Sequence, residues 1–338
     1  MEPRKQDILK AVVREFTISA VPVGSQVLVS RHFLNLSSAT VRNELSELAD
    51  QGYLAQPHTS AGRIPTDRGY RYFVDFLMDL DPVPAQVESF IEGELRLAPL
   101  DPQAMLERVA TTVATVTSNA AVVSGPRGHQ ARIKHLDLVS LEPTEVLAVL
   151  LVEGNLIRQQ VTTVSRPVDQ AALTRMANRL NRELVGLDRD GLAPRLQRTA
   201  RALEREVLTH LSEMLAQFEL GTETLVLHDG VRNLLKHPEF SEASRLHDVL
   251  EVLEETRYLA SLLHELVAGS DLQIVIGSEH QTMQLRSCTV VLTTYGPTHR
   301  VRGILGVIGP TRMDYGQVVG RLRAVAHWAS ERMAEAYA

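Results

Sequence analysis

The sequence predicts a multidomain α+β protein, and three observations carry that prediction. The chain has 338 residues, more than one typical domain needs, so two or three domains are expected. Three segments with a helical hydrophobic period crowd into residues 4–51, and a strand-loop-strand pattern follows them. Helical and strand-like segments then run in mixed order to the end of the chain.

Composition narrows the class. Hydrophobic residues make up 44% and charged residues 22%, which suits a globular protein. The longest apolar run, 146–152, is too short to span a bilayer. The opening stretch "MEPRKQDILK" is charged and lacks the apolar core of a signal peptide, so a cytoplasmic location is expected. Cys288 is the single cysteine, which excludes a disulfide framework and a cysteine-rich zinc site. A net charge of −6 argues against a chain that coats nucleic acid everywhere, but it permits a local basic surface. Residues 52–74 supply one, with Arg63, Arg68 and Arg71 against Asp67 alone.

The first helix is read at 4–16, where Ile8, Leu9, Val12, Val13 and Phe16 share a face. Pro22 and Gly24 break it. A short second helix is expected at 25–34. The third is expected at 38–51, with Ser37 or Ser38 as N-cap, Val41, Leu45 and Leu48 inward, and Gly52 as its stop. The stretch "GYLAQPHTSAGRIPT" has strand-like ends and a glycine-containing tip. Pro65 is placed at the first position of the next helix, whose apolar content is Tyr72, Phe73, Phe76, Leu77 and Leu80. "LDPVPAQ" reads as a linker near 80–86.

Beyond the linker, a helix is expected at 102–117, capped by Asp101. Strands follow at 120–124, 133–141, 146–153 and 156–164, then helices at 169–185 and 195–219. "TLVLHDG" is a lone strand, "RNLLKHPEF" a short helix, and 242–267 a long helix. Three strands and a final helix at 315–336, capped by Asp314, close the chain.

Three helices followed by a strand-loop-strand form the winged helix-turn-helix plan. With Val41, Leu45 and Leu48 packed inward, Arg42, Asn43 and Ser46 project outward. Arginine can bond guanine O6 and N7, and asparagine adenine N6 and N7, each with two bonds. Recognition helices meet base edges near their N-termini, where these residues lie. Ser38 and Thr40 can donate to phosphate beside the free N–H groups of the first turn. A wing must leave the domain and touch DNA, so it needs no apolar period. His58, Ser60 and Arg63 are expected to reach phosphates or a minor groove, and Arg68 to hold phosphate. Gly62 is expected at the loop tip, for close backbone approach or a positive φ, so its replacement should cost binding and spare the fold. The alternative is that these side chains only solvate a surface, with Arg68 and Arg71 pairing with Asp67 and Asp75.

The stretch "LSSATVRNELSELADQGYLAQPHTSAGRIPTDRGYRYFVDFLM" resembles the N-terminal signature of the HrcA family of heat-inducible transcription repressors. "LLKHPEFSE" and "GVIGPTRMDY" resemble that family too, so the likeness spans essentially the whole chain. Its motif falls on Ser38, Thr40, Arg42, Asn43, His58, Thr59, Ser60, Gly62, Arg63 and Pro65. The resemblance implies a homodimer on an inverted-repeat double-stranded DNA operator ahead of chaperone genes, released on heat shock. It implies the chaperonin as a modulator. It also implies a winged helix at 1–80, a discontinuous GAF-like domain at 85–140 and 270–338, and an inserted dimerisation domain at 141–269.

Other constellations are weaker. Gly303, Gly306 and Gly309 match neither a dinucleotide nor a P-loop spacing and read as strand glycines. His58, His228, His237 and His280 lack ligand-spaced partners, so no metal or cofactor is expected. No nucleophile elbow occurs, and the chain is not read as an enzyme. Cys288 reads as a small buried hydrophobe. The stripe Leu203, Val207, Leu211 and Leu215 fits either a dimer contact or internal core. Two rival functions remain: a winged-helix regulator controlled by a small molecule in the GAF-like domain, and a hydrolase or transferase with an accessory winged helix. A saturating thermal shift with one metabolite would favour the first. The second lacks a nucleophile or metal.

Overall fold

The computed structural model describes the whole chain except residues 59–60, 100, 126, 129–130, 154–155, 221–225, 255–270, 299–300 and 338. Packing divides the chain into two units. The first comprises Met1–Ser124, Val226–Tyr295 and Ile304–Arg332; the second comprises Gly125–Leu225, Gly296–Gly303 and Met333–Ala338.

The first unit opens with α1 (Pro3–Ser19), α2 (Ser25–Arg31) and α3 (Ser38–Asp50). Their inward faces close on Ile8, Leu9, Val12, Leu28, Val41 and Leu48, all fully buried. Short strands β1 (Leu54–Ala55) and β2 (Ile64–Pro65) pair antiparallel, Leu54 with Pro65 and Ala55 with Ile64. Pro65 thus ends a strand and does not open a helix. Thr66 caps α4 (Asp67–Tyr72) instead, its hydroxyl accepting from the Gly69 N–H at 3.1 Å. A single π turn, Phe73–Leu77, continues that helix. The wider turn rotates the following side chains, so Phe73 is buried and Phe76 is 70% exposed. Tyr70, absent from the expected apolar face, is buried beside Tyr315 with ring centroids 5.9 Å apart.

The predicted linker near 80–86 leads into a helix that the sequence reading missed, α5 (Ala85–Arg96). Only Ile91 and Leu95 of α5 are buried, too sparse a stripe to stand out by period. Then α6 (Pro102–Thr117), capped by the Asp101 carboxylate, packs on β3 (Ala120–Ser124). The main sheet is ordered β8 (Val226–Asp229), β3, β11 (Val301–Pro310), β10 (Cys288–Thr298), β9 (Leu272–Ile276). Every residue of β3 is buried, so the sheet is covered on both faces. One face meets α10 (Val231–Leu234) and α11 (Ala243–Glu254) through Val122, Leu234, Phe240, Val249, Val290 and Leu292. The long helix expected at 242–267 is described only to Glu254, because 255–270 lie outside the described residues. The last helix, α12 (Tyr315–Tyr337), starts at Asp314, whose carboxylate accepts from the Gln317 N–H at 3.2 Å.

In the second unit a short strand, β4 (Arg127–Gly128), pairs with the start of β11, Arg127 with Arg302 and Gly128 with Val301. Strands β5 (Ile133–Glu142), β6 (Glu145–Val152) and β7 (Leu156–Thr163) form a three-stranded antiparallel sheet. Its inner face carries Leu136, Leu138, Val146, Ala148 and Leu150 into a core completed by α7 (Gln170–Leu184), α8 (Arg189–Arg198) and α9 (Ala202–Leu220). The helix expected at 195–219 is two helices. Thr199 is extended between them, with ψ 114°, and its carbonyl accepts from the Arg205 guanidinium at 2.6 Å. The packing also sorts the chain differently from the 85–140 and 141–269 division. Strand β5 groups with β6, its ladder partner, and β8 groups with β3, so residues 125–225 and not 141–269 make up most of the second unit.

Candidate nucleic-acid interface

Helix α3 begins at a working cap. Ser37 Oγ accepts from the Thr40 N–H at 3.0 Å and lies 2.8 Å from Thr40 Oγ1. Ser38 Oγ lies 2.9 Å from Ser25 Oγ, which ties the start of α3 to the start of α2. The Ser38 and Thr40 hydroxyls, expected to face phosphate, thus already have partners within the fold. The helix ends in a Schellman motif: Gly52, at φ +78°, donates to Ala49 O at 2.9 Å, and Tyr53 donates to Leu48 O at 2.9 Å. Both ends being fixed, the helix is held in one rotation about its axis.

That rotation buries Val41, Leu45 and Leu48 and exposes Arg42 and Asn43, with Ser46 half-buried one turn further along the same face. Arg42 and Asn43 make no side-chain hydrogen bond or ion pair among the described residues. Two carboxylates of α3 are met from α1: Lys5 Nζ lies 2.9 Å from Glu47, and Arg4 lies 3.5 Å from Glu44. Their negative charge is offset beside the face that carries Arg42. From α1, Glu15 takes the Arg31 guanidinium at 2.6 Å and the His32 ring at 2.9 Å, which pins the end of α2. The His32 hydrogen bond foremost, with Arg31 beside it, holds the Glu15 carboxyl below its ordinary range.

The wing is more tightly built than its composition suggests. Arg63 exchanges backbone hydrogen bonds with Val23, so its base is a third, one-residue rung beside β1 and β2. Gln56 Nε2 donates to Ala61 O at 3.0 Å, and the Ala61 N–H donates to His58 O at 2.8 Å. Gly62 is not at a free tip. A Cβ there would lie 2.5 Å from the Val23 carbonyl and 2.7 Å from Pro22 C, so the close approach it permits is to the winged helix itself. The expectation that replacing Gly62 spares the fold is therefore corrected. Nothing in the sequence signalled the Val23 or Gln56 contacts, because both are made across a loop closure. His58 is exposed, Arg63 is half-buried, and Ser60 with Thr59 lies outside the described residues. Arg68 is exposed. Its guanidinium stacks 4.7 Å from the Tyr53 ring centroid and donates to Gln51 O at 3.0 Å. It does not pair with Asp67. Arg71 does pair with Asp75, at 3.3 Å, and also with Glu279.

Outside this region the sequence candidates are quiet. Burial pushes the Cys288 thiol up to about 12, which suits a packed side chain and not a nucleophile. Gly303, Gly306 and Gly309 lie within β11. No cluster of His, Cys, Asp and Glu among the described residues could hold a metal ion, and none of their helices is long and apolar enough to cross a membrane. Leu203, Val207, Leu211 and Leu215 are 5% exposed or less, packed inside the second unit.

The family model described as HrcA protein C terminal domain matches residues 103–319. A heat-inducible transcription repressor HrcA from Roseiflexus castenholzii is 38% identical over 341 residues, covering 99% of this chain and 95% of that protein. The chain belongs to the HrcA family. Another relative of the same name, from Herpetosiphon aurantiacus, is 34% identical over 343 residues and covers 100% of the chain and 96% of its own length. A crystal structure of a hypothetical protein, solved at 2.2 Å, shares the fold with a TM-score of 0.63 at 22% identity, over 99% of both chains. As an HrcA-family member the chain is a transcription repressor of heat-shock genes and not an enzyme. The two HrcA-like stretches remote in sequence from the first motif meet in space, because Arg312 of the second pairs with Glu239 of the first at 2.5 Å.

Proposed function

We propose that the chain acts in the cytoplasm as a homodimer on an inverted-repeat DNA operator ahead of chaperone genes, with α3 in the major groove and the wing on the flanking backbone. One observation carries this reading. Arg42 and Asn43 stand exposed and adjacent on a helix whose opposite face is buried and whose Glu44 and Glu47 carboxylates are paired by α1. In this reading Arg42, Asn43 and Ser46 meet base edges, while Ser38, Thr40, His58, Arg63 and Arg68 lie along phosphate or the minor groove. Arg68, locked over Tyr53, offers its remaining N–H groups at fixed geometry.

The covered antiparallel sheet of the first unit supports reading it as the GAF-like domain, with residues 125–225 inserted. An inverted repeat requires a two-fold protein. The outer face of the three-stranded sheet supports that contact. Its paired rows are Val139–Leu147–Val161, Asp137–Val149–Gln159 and His135–Leu151–Ile157. Ile157 is 68% and Val161 52% exposed, an apolar face of the kind that marks association. This placement differs from the α9 stripe, whose leucines serve the internal core. Heat releases the repressor, and the chaperonin is its modulator, as the family resemblance implies.

The deciding test is a footprint on the organism's own chaperone promoters at stated salt. Symmetric protection of two half-sites is expected. Protection that follows no repeat would overturn the operator reading.

A further inference from the structure

Besides the buried packing of Tyr70 and Phe73 on Tyr315, polar contacts hold the winged helix to the rest of the same unit at three separate places. At the first, Arg312, in the turn between β11 and α12, donates Nη1 to Thr17 O at 2.9 Å and Nε to Glu239 Oε1 at 2.5 Å. Thr17 lies in the last turn of α1, where carbonyls lack helical partners and carry partial negative charge. At the second, α4 meets the turn after β9. Arg71 forks onto Glu279, Nε to Oε1 at 2.7 Å and Nη2 to Oε2 at 2.5 Å, and also reaches Ile274 O. Beside it, Asp67 Oδ2 accepts from the Ser278 N–H at 2.8 Å. Gly277, at φ +51°, leaves the space that this carboxylate fills. At the third, the connection after the π turn is gripped from both sides. Asp79 pairs with Lys10 at 2.7 Å and Arg14 at 3.2 Å on α1, and its carbonyl oxygen comes within 2.5 Å of where a Cβ on Gly316 of α12 would stand, a close approach that only glycine there permits.

A single tie leaves a rigid body free to rotate, whereas three separated ties fix its orientation. The ties through Arg312, Arg71 and Asp67 use charged and backbone groups at the edge of the winged helix, beside the buried Tyr70–Tyr315 packing, so they bear on its direction more than on its own folding. Direction matters for a protein that reads two half-sites at once, because the angle of each recognition helix sets the half-site separation that both can reach.

We propose that Arg312, Arg71 and Asp67 are positioning residues that set the operator half-site spacing this protein accepts. The inference rests on the inverted-repeat reading above. It gives a role to the two HrcA-like stretches outside the proposed DNA-contacting elements, since Arg312 and Glu239 come one from each.

The test uses the full-length protein and a series of operators whose half-sites are moved apart stepwise by up to half a helical turn, about 5 base pairs. A DNA carrying one half-site is titrated alongside. The wild type should show one sharp spacing optimum, with affinity falling at least about tenfold at the half-turn displacement. Arg312→Gln and Arg71→Gln should bind the single half-site as the wild type does, yet lose most of that discrimination. Arg71→Glu combined with Glu279→Arg should restore the optimum. Should Arg312→Gln fail to fold, Glu279→Gln and Gly277→Ala carry the same measurement at the second tie. Variants that keep the wild-type spacing profile, or a charge-reversed pair that stays flat, overturn the positioning role. A wild type without any optimum overturns it together with the inverted-repeat reading.

Discussion

Arg63 and Val23 exchange both of their backbone hydrogen bonds, at 2.8 and 2.9 Å, so the base of the wing is stitched to the loop between α1 and α2. Gly62 sits against that rung with no room for a side chain. Gly62→Ala should therefore destabilise the winged helix by about 1–3 kcal/mol, since the clash is with backbone that cannot rotate away. Urea unfolding followed by circular dichroism reads this directly. An unchanged midpoint would mean that the loop is free of the body, and that any loss of DNA binding by the variant arises at the DNA.

Base reading and phosphate holding separate by salt and by sequence. Arg42→Ala should cost about 1–3 kcal/mol on the cognate operator and relax preference at one base position per half-site. Arg68→Ala should weaken operator and random DNA alike and reduce the log–log salt slope by about one. Fluorescence titration at four salt concentrations checks both. Equal losses on operator and random DNA for Arg42→Ala would take it off the base edges.

The proposed dimer contact on the outer face of the three-stranded sheet predicts where that dimer breaks. Val149 lies at the centre of that face, on the middle strand, flanked by Asp137 and Gln159. Val149→Asp should give a folded monomer by analytical ultracentrifugation, with operator affinity reduced to that of a single half-site. Leu211→Ala, inside the core of the second unit, should instead lower stability by about 2–5 kcal/mol, as buried leucine truncations do. A Val149→Asp protein that still sediments as a tight dimer would move the contact elsewhere.

Glu15 predicts an acid sensitivity of the winged helix. Its carboxyl is held below the ordinary range in the folded state, so the folded chain binds its proton less readily than the unfolded chain does. Its contribution is complete above the unfolded carboxyl pKa, about 4.3, and is lost as pH falls through the lower folded value. Glu15→Gln should melt below the wild type at pH 7, and the gap should close below about pH 4. A gap that stays constant with pH would show that packing, and not charge, sets the difference.

Local signals in the chain were enough to specify much of this protein. The periods of α1, α3 and α6, the caps at Ser37, Asp101 and Asp314, and the stop at Gly52 depend on neighbours within a few residues. The outward-facing Arg42 and Asn43, with Ser46 half-buried on the same face, follow from the same period, because burying Val41, Leu45 and Leu48 dictates what is left outside. The HrcA-like motifs were legible for the same reason, as unbroken stretches. Tertiary structure decided the rest. Whether the α9 stripe faces a partner or a core depends on β5–β7 folding over it, since an apolar stripe is equally buried by either. The wing's rigidity depends on Val23, forty residues from Arg63 in the chain. Arg312, Arg71 and Glu279 each read as an ordinary surface charge until the fold brings together residues as much as 295 positions apart, as in Arg312 with Thr17. A hydrogen bond of that span leaves no period, cap or turn in the sequence around either end.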